Sequence, residues 1–304
     1  MTGRVVITAA TGGLASQIIP HLLRSLPASS IIATSRTFPK LDSLAGQGII
    51  VRQADFAQPD SLRTAFKGAH TVLVVSVDSL GAEAVQQHKN AIDAAIAAGA
   101  KRIFYTSHQA ANPKSVFAAA PKHAATEAYL EQVTSAPSEG KKTAFTSLRN
   151  GFYMTTVDRM LNGAKHSGKL EVPANGSASW THQSDLAEAI AKLLLRSLRE
   201  EGDSIPRYAT LANPEPVDLA QAAAAYSEVN GIEPIEYVET PWEEYKQRLM
   251  AHGLPEERVN LLWGMLEASV RGEFVSKDPL LEQLLGRKAM SVRDMFAQQQ
   301  QKQK

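Results

Sequence analysis

Three pairs of polar residues have the types and positions to stabilise or protonate a reacting oxygen: Ser107 and His108, Lys122 and His123, Asn150 and Tyr153. The first pair follows the apolar run KRIFYT, the second opens the stretch PKHAATEAYLEQV, and the third follows TAFTSLR. An imidazole or a phenol in such a place can donate to an oxygen that gains charge. Lys122, His123 and Tyr153 are the candidate catalytic residues. A Tyr-x-x-x-Lys pair, in which lysine lowers the pKa of a proton-donating phenol, is absent. Tyr105, Tyr129 and Tyr153 are followed four residues on by Gln109, Val133 and Val157. Carbonyl reduction through that pair is therefore disfavoured. The eight histidines form no short-spaced pair with a carboxylate, and H-E-x-x-H and G-x-S-x-G do not occur. Neither a metal site nor a hydrolase nucleophile is expected.

A second set of residues has the spacing to hold phosphate. Residues 4 to 23 read RVVITAATGGLASQIIPHLL. A β-branched run meets a turn of small residues, and an apolar-periodic helix follows at once. Such a turn leaves backbone N–H groups free at a helix N-terminus, where the helix dipole favours negative charge. The glycine pattern G-x-x-G-x-x-G is reduced to its middle member: Ala9 and Ala15 flank Gly12. Thr8, Ala10, Thr11, Gly12, Gly13 and Leu14 are the candidate cradle for a dinucleotide diphosphate. The next strand ends in TSRTFPK, with no acid for ribose hydroxyls but with Arg36 beside Ser35 and near Lys40. A guanidinium there selects a 2′-phosphate, so NADPH is the expected cofactor. Asp55 and Phe56 can meet the adenine edge, and Ser76 the nicotinamide half. Ser107, Asn150 and Phe152 complete the candidate cofactor contacts.

The elements that position these residues alternate through the first half. Strands are expected at IIATSR (31–36), GIIVRQAD (ending at Asp55), TVLVVS (71–76), KRIFYTS and TAFTSLR (143–149). Helices lie between them, including PDSLRTAF, capped by Asp60 or Ser61, and EAVQQHKNAIDAAIAAG, closed by Gly99. Apolar strands separated by helices predict an α/β fold with a doubly wound parallel sheet of the Rossmann type. Residues 1–150 form this domain. A segment of about 178–212 returns to it and contains the helix DLAEAIAKLLLRSL, capped by Ser184 or Asp185. The Pro-punctuated remainder, 151–177 and 213–304, forms a smaller substrate lobe with a helix over 256–270. Trp180, His182, Trp242 and Trp263 are read as packing of that lobe, and His88 as structural. The tail QQQQKQK is expected to be frayed.

The chain has 304 residues, 32 basic and 31 acidic, a net charge of +1 and no cysteine. Balanced charge without a basic tract argues against nucleic acid as a partner. Disulfides, thiol nucleophiles and thiolate metal sites are excluded. No apolar run approaches membrane-span length, and MTGRVV lacks a signal-peptide layout, so a cytoplasmic monomer or homodimer without a membrane partner is expected.

The stretches ITAATGGLASQ, TSRTFPKLDSLAGQGIIVRQADF, QQHKNAIDAAIAAGAKRIFYTS, HAATEAYL and LRNGFY resemble the NmrA-like branch of the atypical short-chain dehydrogenases. The resemblance extends to HGLPEERVNLLWGMLEASVRGEF and LLGRKAMSVRDMF near the end. It implies NADPH lying across the strand ends and a substrate in the cleft between lobes. A quinone or another conjugated aromatic molecule is the substrate it implies. By residue type, Phe152 and Tyr153 are either core or walls for such a substrate. The branch also contains regulators that sense NADP without turning over a substrate, and a biosynthetic reductase with one dedicated substrate is a third possibility.

Overall fold

A computed structural model of the protein describes residues 3–135, 143–199 and 204–303. The first half runs β1 (Arg4–Ile7), α1 (Ala15–Leu23), β2 (Ile31–Ser35), α2 (Asp42–Ala45), β3 (Ile50–Gln53), α3 (Pro59–Ala65), β4 (Ala69–Val74), α4 (Gly81–Ala97), β5 (Arg102–His108), α5 (Ala120–Ser135) and β6 (Ala144–Asn150). The second half runs β7 (Phe152–Tyr153), α6 (Met154–Ala164), β8 (Lys169–Val172), β9 (Ser177–Ala178), β10 (Trp180–Thr181), α7 (Gln183–Leu198), β11 (Tyr208–Leu211), β12 (Val217–Asp218), α8 (Leu219–Asn230), β13 (Glu236–Glu239), α9 (Trp242–Ala251), α10 (Glu256–Val270), α11 (Leu280–Leu285) and α12 (Val292–Gln303).

Seven strands form one parallel sheet in the order β11-β6-β5-β4-β1-β2-β3. Its strands are apolar on both faces because helices cover both. Val5 and Ile7 enter a core with α1 and α7, whereas Val6 faces a core with α3, α4 and α5. Helix α1 buries Ala15, Ile18, Ile19 and Leu22, the i, i+3, i+4, i+7 stripe of a helix docked on a sheet. The strand order reverses between β1 and β4, so their C-terminal ends open a crevice there, where open α/β sheets bind ligands.

A second core packs α6, α8, α10 and α12 around Trp180, Tyr226, Phe274 and Phe296. Strand β11 adds to β6 from the second half, where the sequence shows only a Pro-flanked YATL. Leu281, Leu284 and Leu285 of α11 also join the first core, beside α7.

Two caps differ from expectation. Helix α3 starts at Pro59 after Gln58, with no side-chain cap, because Ser61 Oγ turns back to the Gln58 and Asp55 carbonyls. Helix α7 is capped by His182, whose Nδ1 accepts from Ser184 N. Asp185 is instead fully buried, accepting from Arg287 Nη2 at 2.9 Å and Met290 N at 2.7 Å. The glutamine-rich tail, expected to fray, continues α12 to Gln303, since glutamine and lysine favour helix and Phe296 anchors α12 edge-on to Tyr226. Among the described residues, no helix is long and apolar enough to cross a membrane.

Candidate functional site

The cradle lies where β1 gives way to α1. Gly12 N donates to Ala9 O, and Ala10 N to Thr34 O. Among the described residues, the N–H groups of Thr11, Gly13 and Leu14 have no intramolecular acceptor, and they lie at the N-terminus of α1. That is the arrangement an anionic diphosphate requires. A Cβ on Gly12 would come within 3.1 Å of Ala9 O, so glycine keeps this turn tight. Ala9, in the place of the first glycine, has φ +48°, the one non-glycine residue with positive φ among the described residues. The turn thus keeps its left-handed shape at the expense of strain on an L side chain.

A cavity of ≈ 550 Å³ runs from this turn across the ends of β2, β3 and β4. Its lining includes Gly12, Arg36, Lys40, Asp55, Ser76 and Asp78. Phe56 lines it as well, and its carbonyl accepts from Asn90 Nδ2 at 2.8 Å. Arg36 is exposed, and among the described residues its guanidinium has no partner. Asp55 Oδ1 accepts from Ala57 N and so shapes its own turn. Ser76 N donates to Thr106 Oγ1. Three cradle candidates turn their side chains inward instead. Thr8 Oγ1 donates to Leu73 O and accepts from Val75 N, tying β1 to β4. Ala10 is packed in the core, and the Leu14 side chain joins it there. Free N–H groups, an unpaired guanidinium and the cavity between them together fit a phosphorylated dinucleotide.

The polar pairs at the strand ends are built into a hydrogen-bonded frame. Lys122 Nζ, at the start of α5, donates to Val77 O at 2.6 Å and Ser79 O at 2.8 Å. It therefore pins the β4–α4 loop that lines the cavity. Burial lowers the Lys122 pKa, opposed by the charge of Asp78. His123 is buried, and its Nδ1 lies 2.8 Å from the Tyr105 hydroxyl. Burial, then the fields of His108, Lys122 and His88, holds its pKa well below the usual value. Burial likewise lowers His108 to about 4 and His88 to about 3, so these rings are neutral at pH 7.

Tyr153 faces the Asn150 amide, and burial raises its pKa. That amide lowers the Tyr153 pKa in part, yet Asn150 Oδ1 is buried without a hydrogen bond of ordinary geometry. Gln109 Oε1 is a second buried acceptor of this kind, adjoining it through the Gln109 N to Asn150 O bond. Gly151 is required here, since a Cβ would collide with Thr181 Oγ1 and Ala212. Ser107 turns away from the cavity: its hydroxyl donates to Glu127 Oε1 at 2.8 Å.

Three features are absent from the sequence-level candidates. Glu127 is a buried hub that accepts from Ser107, Ser147 and both Nε and Nη2 of Arg149. Phe117 and Phe274 pack around His108 with Phe152, at ring separations of 5.3 to 5.5 Å. Phe152 in turn meets Trp180 edge-on. These rings form an aromatic seam at the edge of the second core, beside His108 and His123. Phe274 carries no sequence signal, because it reaches the seam from the far end of the chain. Among the described residues, no cluster of three or more metal-ligating side chains occurs.

A parallel sheet with a helix N-terminus, a free guanidinium and a long cavity at its switch point defines a dinucleotide-binding protein of Rossmann type. The NmrA-like family model matches residues 1–297, and the chain belongs to that family. It is 30% identical over 285 residues to quinone oxidoreductase 2 of Escherichia coli, covering 93% of each. The crystal structure of that Escherichia coli NADPH-dependent quinone oxidoreductase complexed with NADPH has a TM-score of 0.85 at 28% identity, covering 97% of this chain and 99% of the other. Triphenylmethane reductase of Citrobacter sp., complexed with NADP(H), has a TM-score of 0.84 at 29% identity over the same shares.

Proposed function

We propose that this protein is an NADPH-dependent oxidoreductase that transfers hydride to a quinone or another conjugated aromatic small molecule. The observation that carries the reading is the cavity that joins the phosphate cradle to Arg36. Lys122 ties the Val77 and Ser79 carbonyls of its lining to the helix that carries His123 beside the aromatic rings. The N–H groups of Thr11, Gly13 and Leu14 hold the diphosphate, and Arg36 with Lys40 holds the 2′-phosphate. When bound, reduced nicotinamide supplies a hydride, so the acceptor needs from the protein alignment and a donor at the oxygen that gains charge. Phe152 and Tyr153 align a flat ring. His123 beside the seam and Tyr153 beside the Asn150 amide are the candidate donors. Lys122 holds the loop between the two halves rather than acting on substrate, because two of its donors are taken by backbone carbonyls. The relatives named as reductases of quinones and triphenylmethane dyes support a flat conjugated acceptor.

The test is stopped-flow absorbance of protein-bound NADPH mixed with quinones and conjugated enones. Rapid, saturable oxidation above the uncatalysed rate is expected. Tight NADPH binding without oxidation by any acceptor would overturn the reading in favour of an NADP sensor.

A further inference from the structure

We propose that Tyr105 and His88 are positioning residues that lock His123 as its Nε2–H tautomer, so that neutral His123 donates a hydrogen bond to the acceptor oxygen as that oxygen gains charge. The proposal rests on the reductase reading above for its last step and on hydrogen-bond geometry for the rest.

The argument follows the protons along a buried chain. Val77 N donates to His88 Nε2 at 3.0 Å, so that nitrogen is an acceptor. His88 is wholly buried, and burial keeps it neutral. Its proton is therefore on Nδ1, which lies 3.0 Å from Thr126 Oγ1 and 3.3 Å from the Tyr105 hydroxyl. Thr126 Oγ1 is free to accept, because its own proton goes to Lys122 O at 2.8 Å. The Tyr105 hydroxyl cannot donate to a nitrogen that already carries hydrogen. Burial raises the Tyr105 pKa and Thr126 lies close enough to lower it in part, but the hydroxyl's shortest contact with an acceptor is His123 Nδ1 at 2.8 Å, which takes its proton. A neutral imidazole that accepts at Nδ1 carries its proton on Nε2.

His123 Nε2 is the open end of the chain. It has no protein acceptor among the described residues, and it is not one of the fully buried polar atoms lacking a partner. The ring is stacked on His108 at 6.3 Å, and His108 packs against Phe117, Phe152 and Phe274. The donor thus stands beside the aromatic seam. A neutral imidazole does not give its proton up, because imidazolate is too basic. It stabilises the oxyanion formed by hydride addition, and water supplies the proton that completes reduction. Val77 joins this chain to the cofactor side: its N–H meets His88 and its carbonyl meets Lys122, within the loop that lines the dinucleotide cavity.

The test combines tautomer detection with kinetics on the intact protein. Long-range 1H–15N correlation on histidine-labelled protein reads the protonated nitrogen directly, with the His123 signals assigned by their loss in His123→Gln. The wild-type protein is expected to show His123 protonated at Nε2. In Tyr105→Phe that preference is expected to relax toward a mixture. The kcat of that variant with the best quinone acceptor should fall on the order of tenfold at unchanged KM, a fraction of what losing the whole donor removes. A wild-type His123 protonated at Nδ1 overturns the proposal whether or not the variant folds. An unaltered tautomer in folded Tyr105→Phe overturns it as well. Absence of reductase activity bears on the function alone, since the tautomer is read without turnover.

Discussion

Ala9 and Arg36 carry opposite information about the cofactor site. Ala9 holds a left-handed turn that suits glycine, at φ +48°. Ala9→Gly removes a penalty of about 1–2 kcal/mol and adds unfolded-chain entropy of roughly 0.5–1 kcal/mol. A net gain of about 1 kcal/mol is expected, seen as a raised midpoint in urea unfolding. Arg36 stands unpaired at the cavity rim, and a guanidinium–phosphate pair contributes about 1.5–3 kcal/mol. Arg36→Asp should therefore weaken NADPH on the order of 10- to 100-fold in calorimetric titration while affecting NADH far less. Equal loss of both would remove Arg36 from the 2′-phosphate. That Arg36, Asp55, Phe56 and Ser76 line one cavity was legible from sequence, because strand C-termini in an α/β chain share one edge. That the Thr8 and Ser107 hydroxyls turn away from it was not, since they find partners on neighbouring elements, Leu73 and Glu127.

Helix α5 and strands β5 and β6 are joined by one buried carboxylate. Glu127 takes hydrogen bonds from Ser107 and Ser147 and a bidentate contact from Arg149, whose pKa it raises. Glu127→Ala would leave two buried hydroxyls and a half-buried guanidinium without their acceptor. A loss of roughly 3–5 kcal/mol is expected, since removing one partner of a buried pair strands the other. Denaturant unfolding measures it, and a loss under 1 kcal/mol would show that water replaces the carboxylate. The sequence shows PKHAATEAYLEQV as a helix but not which face meets the sheet. Glu127 reads there as a solvated charge until β5 and β6 are placed beneath it.

The whole molecule buries three neutral histidines, His88, His108 and His123. His88 and His108 have pKa values near 3 and 4, and His123 is well below its usual range, all chiefly through burial. The unfolded chain binds protons on these rings below about pH 6.5, whereas the folded one does not. Stability is therefore full above that pH and falls as the pH drops toward the folded values. By pH 5 the loss reaches up to about 2 kcal/mol per ring. Urea unfolding at pH 7.5 and pH 5 tests this above most of the carboxylate range. A flat profile would mean the rings are hydrated in the folded protein.

The sequence by itself determined the alternation of strands and helices, the small-residue turn before α1 and the cation at the end of β2. These are local: period, turn residues and the end of a strand are written in consecutive residues. The tertiary structure alone decided that the returning segment pairs as β11 with β6, that α11 joins the first core, that Phe117 and Phe274 meet at His108, and that His88, Tyr105 and His123 share one hydrogen-bonded chain. Those contacts join residues far apart in sequence. Which side chain is left facing a cavity depends on which neighbours have already taken its hydrogen bonds.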